Sequence, residues 1–234
     1  YDLGVNGEGL DDFELGPKLG RGPVGASYLG RRKSNGAQCV VKVISRRFQS
    51  HPDILNRVTD HLRGWEQVSH GHVAEILALG LSNDRDVVVY EMAPGRSLTA
   101  HLERHGPLSA SKALRVVYEL ALALAAAEVK GLVCGDIRAD KVYFDKQHCM
   151  LVDVGLSRAS SLANGWGQIG LAFGHPAYLA PEVLQEQLTS PTFQTDIYAL
   201  GILLYEMLCG QLPFEGEPTE MLNQHFDAPL PPPP

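Results

Sequence analysis

Four short runs carry residues whose types and spacing suit chemistry. In Leu19-Gly20-Arg21-Gly22-Pro23-Val24-Gly25, three glycines would let backbone N–H groups come close to a phosphate. A glycine-rich hairpin is the other reading. A strand pattern follows, not a helix, which disfavours the dinucleotide-fold version of the motif. Lys42 sits inside the apolar run Cys39–Ile44, where its ammonium needs an anion or a route to solvent. A phosphate under the glycine loop would supply the first, and an outward-reaching side chain the second. Asp153-Val154-Gly155 follows a short apolar strand, and a carboxylate there suits a hard cation such as Mg²⁺. Asp136, in Cys134-Gly135-Asp136-Ile137-Arg138, ends another apolar stretch. Either aspartate alone reads as a turn residue; together and in this order they are far more specific.

The elements that must hold these residues follow from the hydrophobic pattern. Strands are expected at 13–19, 26–32, 39–44, 75–81 and 86–91, with a helix over 53–68 carried by Ile54, Leu55, Val58, Leu62 and Trp65. Ala93-Pro94-Gly95 breaks the pattern. Beyond it come a helix at 98–105 capped by Ser97, a long apolar helix at 110–129, short strands at 142–145 and 149–152, a Gly- and Ser-rich loop at 155–176, and helices at 181–187, 194–209 and 218–226. Strands first and helices later make an α+β chain, divided as 1–93, 94–228 and a Pro-rich tail or linker at 229–234.

Composition narrows the function. The chain has 234 residues, 20 Lys+Arg against 27 Asp+Glu for a net charge of −7, and 44% hydrophobic residues. That fits a soluble globular protein and argues against a nucleic-acid binder, which wants a strongly basic face. Cys39, Cys134, Cys149 and Cys209 show no CxxC and no close metal spacing. A reduced, cytoplasmic chain without a secretory signal is expected. The apolar stretches 113–129 and 197–210 carry charges and are too short or interrupted to span a bilayer, so any membrane tether would lie outside the chain.

At this point the sequence resembles the protein kinase family, from about residue 12 to about 228. The resemblance implies a bilobal fold, with a β-rich N-lobe and a helical C-lobe, and ATP and Mg²⁺ as cofactors. Gly20, Gly22 and Gly25 match the phosphate loop, Lys42 the strand lysine and Tyr90 the gatekeeper. Glu91-Met92-Ala93 matches the hinge, and Ser27 and Val40 fall at the adenine. Asp136 matches the catalytic base, Arg138 the position of the catalytic lysine, and Asp153 the metal-binding Asp. Ala180-Pro181-Glu182 and Asp196-Ile197-Tyr198-Ala199-Leu200-Gly201 match the end of the activation segment and the start of the central C-lobe helix. The phrasing around Leu203–Leu208, Leu212-Pro213-Phe214 and Asn223-Gln224-His225 is similar to bacterial eukaryotic-like Ser/Thr kinases. By the same resemblance the last C-lobe helices are expected to be missing, leaving that lobe truncated.

The departures from the family pattern carry the functional expectation. Cys134-Gly135-Asp136 stands for His-Arg-Asp, and the Arg that grips an activation-loop phosphate is gone. Lys141 stands for the metal-binding Asn. It cannot ligate Mg²⁺ and, at about 4 Å and an effective dielectric of about 20, would oppose a divalent ion by roughly 8 kcal/mol. It could hold a phosphate in place of one metal. His61 falls where the N-lobe helix should offer a Glu to Lys42, with Asp60 beside it and Glu66 more than a turn away. Asp60 could substitute only with a rotation of the helix, and if no acid pairs with Lys42 its ammonium has only phosphate or water. Val40 and Ser27 alter the adenine pocket, Pro23 stiffens the loop, Val154 replaces the Phe of the metal motif, and His175 replaces the Thr that links the activation segment to the catalytic residues.

Together these changes predict a pseudokinase: a regulatory or binding module that works with a protein partner. Retained Lys42, Asp136 and Asp153 either bind nucleotide or only hold their loops through backbone hydrogen bonds. The alternative is an active atypical Ser/Thr kinase that moves the γ-phosphate of ATP to protein hydroxyls, with Asp136 as base, Asp153 on one Mg²⁺ and Lys42 on the phosphates. Ser157, Ser160 and Ser161 read as exposed serines of the Gly-rich loop, or as targets of another kinase.

Overall fold

Strand β3 (Gln38–Ile44) shows how the pattern sets the site. Side chains alternate across a strand, so Val40, Lys42 and Ile44 share one face and Cys39, Val41 and Val43 the other. The computed structural model describes residues 10–46, 48, 52–82, 85–146, 148–163, 173–185 and 190–232. In it β3 is the middle strand of a five-stranded antiparallel sheet with β1 (Phe13–Arg21), β2 (Gly25–Arg32), β4 (Ile76–Ser82) and β5 (Arg85–Glu91), ordered β1-β2-β3-β5-β4. The Cys39–Val41 face closes on Phe13, Ala78, Val87 and Val89, with Leu10 packed against them. On the other face Ile44, Val88 and Tyr90 join the main core with Val58, Leu62 and Trp65 of α1 (Pro52–Trp65). Sheet first and helices after give the expected α+β, two-lobed architecture.

The helical part begins with β6 (Arg96–Ser97) and α2 (Leu98–His105), where the Ser97 hydroxyl accepts the Ala100 N–H at 3.3 Å. Its centre is the packing of α3 (Ala110–Glu128) on α6 (Phe193–Cys209). Val116, Leu120 and Leu124 are buried in one core with Leu200, Leu203 and Met207. Helix α6 starts at a reciprocal cap between Thr192 and Thr195 and stops at Gly210, whose φ is +77°. Strands β7 (Val142–Phe144) and β8 (Cys149–Leu151) pair next to β6. The remaining helices are α4 (Ser157–Ala163), α5 (Glu182–Gln185) and α7 (Pro218–Asp227).

Two side-chain clasps fix the loops that carry the site. Asp196, buried on the first turn of α6, accepts the N–H groups of Cys134 and Gly135, each at 2.8 Å. Burial pushes its carboxyl up to about 7, against the pull of the two donors. At β8 the Cys149 N–H goes to Glu119 Oε2 at 2.6 Å, and its carbonyl meets His72 Nδ1 at 2.8 Å. The sequence showed no metal spacing around this cysteine, yet the fold brings the ligand atoms of His72, Glu119 and Cys149 within 4.8 Å of one another. All four cysteines are buried free thiols, and among the described residues no helix is long and apolar enough to cross a membrane.

Asp196→Ala would strand two buried N–H groups, each worth about 1–3 kcal/mol. The expected loss is about 3 kcal/mol in urea unfolding, with a smaller loss for Asp196→Asn, which keeps one acceptor.

Candidate nucleotide site

A cavity of about 520 Å³ opens between the sheet and the helical lobe, within the range of small-molecule sites, about 300–1,000 Å³. Every nucleotide-binding residue named from the sequence lines it: Gly20, Gly22, Gly25, Ser27, Val40, Lys42, Tyr90, Glu91 and Ala93. The glycines differ in their reasons. A Cβ on Gly25 would lie 2.1 Å from the Val43 carbonyl oxygen, so the close pairing of β2 with β3 at this end demands glycine. At Gly20 and Gly22 a Cβ would meet nothing within 4 Å, and the missing side chains leave open space over the cavity. Tyr90 is buried, and its hydroxyl donates to the Val154 carbonyl at 3.0 Å.

Lys42 does not wait for a phosphate. Its Nζ forms a short ion pair with Asp153 Oδ2, so the lysine is not left to phosphate or water alone. The acid comes from the metal motif and not from α1. Asp153 adopts φ +57°, the one positive value among described non-glycine residues, a conformation Asp tolerates better than most. Burial pushes its carboxyl up, but Lys42, then Lys141 and Arg138, hold it below the usual range. Helix α1 presses on the next residues: a Cβ on Gly155 would lie 2.8 Å from Leu62 Cδ2. His61, at the expected Glu position, places Nε2 3.0 Å from the Val133 carbonyl oxygen and 3.2 Å from Trp65 Nε1. Neither Asp60 nor Glu66 makes an ion pair with Lys42.

Asp136 is further from a catalytic base than its sequence position implies. Its side chain is 1% exposed, and it is not among the residues that line the cavity. Lys141 and Arg138, which do line it, cover the carboxylate: Lys141 Nζ forms a short ion pair with Oδ2, and Arg138 Nε lies 3.1 Å from Oδ1. Burial pushes the carboxyl up, and Lys141 and Arg138 together more than offset this. Asp140, half exposed, lies 3.3 Å from Arg138 Nε. The adjoining departures are built in. Gly135 has φ +68°, and a Cβ there would lie 2.7 Å from Pro191 Cγ, so the family's Arg has no room. His175 Nδ1 accepts the Ala177 N–H at 3.1 Å. Burial, then Arg138, pull its imidazole down to about 4.

The expected loop at 155–176 is partly helix. Residues 164–172 lie outside the described ones, but 157–163 form α4, which packs against α1. Ser157, Ser160 and Ser161 are each 1% exposed, not surface serines, and Ser160 lines the cavity. Three small hydroxyl side chains fit the crowded contact of α4, a signal the sequence carried but that a Gly-rich neighbourhood masked.

A glycine-roofed cavity between a five-stranded sheet and a helical lobe, with a strand lysine on an Asp-x-Gly motif, defines a protein kinase fold. The protein kinase domain family matches residues 13–229, and the chain belongs to that family. It is similar to serine/threonine-protein kinase pkn2 of Myxococcus xanthus, 34% identical over 94% of this chain and 27% of the relative. Protein kinase C eta type of Homo sapiens is 32% identical over 92% of this chain and 32% of the relative. The probable serine/threonine-protein kinase PknB of Lactococcus lactis is 27% identical over 94% and 35%. The chain thus spans about a third or less of the length of these relatives.

Protein kinases in general use ATP with Mg²⁺. The cavity fits a nucleotide in size and in its glycine roof. The residues at the metal position do not fit a divalent cation, which needs several oxygen ligands: an ammonium replaces the amide at Lys141, and Lys42 already occupies the Asp153 carboxylate.

His175 sets a pH dependence. Its folded pKa lies below the unfolded value near 6.5, so the unfolded chain binds the extra proton between about 6.5 and 4. Its contribution is complete above 6.5 and is lost as pH falls toward 4, to a total of about 3 kcal/mol. Unfolding free energies measured across this window should show wild type losing stability relative to His175→Gln as the pH drops.

Proposed function

We propose that this kinase domain is a pseudokinase, a regulatory or binding module with a nucleotide-sized cavity and little or no phosphoryl transfer. One observation carries the reading: the Asp136 carboxylate is 1% exposed and holds Lys141 on one oxygen and Arg138 on the other. A catalytic base must reach the hydroxyl proton it takes, within hydrogen-bond distance or through one water. Here both oxygens face cations, and the depressed pKa weakens the carboxylate further as a base. The Lys–Glu pair that holds the family's active arrangement is replaced by the Lys42–Asp153 pair. The module's partner is a protein, in keeping with a fold that in its relatives serves protein phosphorylation.

A second reading, an atypical active Ser/Thr kinase, draws on Lys42, Asp136 and Asp153 being kept in the family's order. It requires Lys141 to leave Asp136 and both aspartates to be freed of their ion pairs.

Incubation with γ-labelled ATP and a generic protein acceptor, with Mg²⁺ or Mn²⁺, tests the choice. The expected rate is at least about a thousandfold below the 1–100 s⁻¹ of ordinary kinases. Faster incorporation that disappears in Asp153→Asn would overturn the pseudokinase reading.

A further inference from the structure

Lys141 stands where the family has a metal-binding Asn, and Lys42, the family's strand lysine, stands on the metal-motif Asp153. Each ammonium offers three N–H donors. Lys42 spends one on Asp153 and Lys141 one on Asp136, while both side chains line the cavity. Each therefore keeps donors for a phosphate oxygen without giving up its carboxylate. A metal ion in a kinase does the same bridging, joining an acidic side chain to the phosphate oxygens. Asp153 feels Lys42, Lys141 and Arg138 together, so an arriving dication meets three positive charges around the carboxylate of the metal motif. Of the other two acids on the cavity wall, Glu91 lies at the hinge and Asp140 lies 3.3 Å from Arg138 Nε.

We infer that the cavity takes a nucleoside di- or triphosphate in metal-free form, with Lys42 and Lys141 bridging its phosphates to Asp153 and Asp136. The inference rests on the reading of this cavity as a nucleotide site and adds what replaces the cation. The glycine roof contributes backbone N–H groups, which bind phosphate without regard to metal. Lys141 is central. It lies 4% exposed between a buried carboxylate and the cavity, so its charge is fixed in place. A mobile surface lysine would be screened by solvent.

Calorimetric titration of wild-type protein with ATP, ADP and adenosine, in EDTA and then in saturating Mg²⁺, tests this. The expected result is an ATP Kd in EDTA within about threefold of that in Mg²⁺, and at least about tenfold tighter than adenosine. Lys141→Asn should weaken ATP by about tenfold or more in EDTA and make Mg²⁺ restore it. Should that variant fail to fold, Lys42→Met supplies the same loss in EDTA, and the wild-type comparison needs no variant. ATP that binds wild type at least tenfold tighter with Mg²⁺ overturns the inference while leaving the absence of phosphoryl transfer to stand on its own assay. Equal affinity for ATP and adenosine, or no binding in either condition, overturns it as well. The transfer assay then still decides between pseudokinase and enzyme.

Discussion

A carboxylate taken out of water must be met by a cation or by N–H donors, because its isolated burial costs many kcal/mol. The aspartates at the heart of this molecule meet that demand in different ways. Asp196 is answered by two backbone N–H groups, Asp153 by Lys42, and Asp136 by Lys141 and Arg138. The arrangement of the catalytic-loop region hangs on these choices. Asp196 ties that loop to the central helix, and the lysine pairs tie the loop and the metal motif to the ground between sheet and helices. Such pairs contribute modestly to net stability, but breaking one partner away costs about 3–5 kcal/mol. They therefore hold the site in one arrangement more than they strengthen the fold.

That arrangement is self-neutralised. In an enzyme that moves phosphate, the acids stay available for metal and for the proton of the acceptor, and their charges are balanced only when substrate arrives. Here the balance is reached within the chain. Two departures stand at its centre, Lys141 for an amide in the catalytic loop and His61 for an acid on α1. Asp60 of α1 makes no ion pair with Lys42, whose partner is Asp153.

Much of the fold was legible in the sequence, and the reason is local. The alternation in Cys39–Ile44 and the apolar spacing of α3 and α6 record burial directly, and Ser97 before α2 names its own cap. The cavity wall was legible through the resemblance to the protein kinase family, which places the glycines, the strand lysine and the hinge. The ion pairs were not. Lys42 and Asp153 are 111 residues apart, and which acid reaches an ammonium depends on the pose of α1 and on the αL turn of Asp153, which no periodicity encodes. Helix α4 was hidden because Ser and Gly in its neighbourhood favour loops by propensity, and packing on α1 overrides that preference. The cluster of His72, Glu119 and Cys149 joins three distant segments and leaves no spacing to read.

Helix α4 also has a kinetic meaning. Its three serines are each 1% exposed, so an enzyme that modified them would have to act on molecules in which the helix has lifted away. The observed rate is then the rate on the open segment multiplied by the open fraction. Each 1.4 kcal/mol that holds the helix down divides that rate by about ten. A ligand that packs under Ser160 would slow modification without touching the modifying enzyme, and one that loosens α1 would speed it.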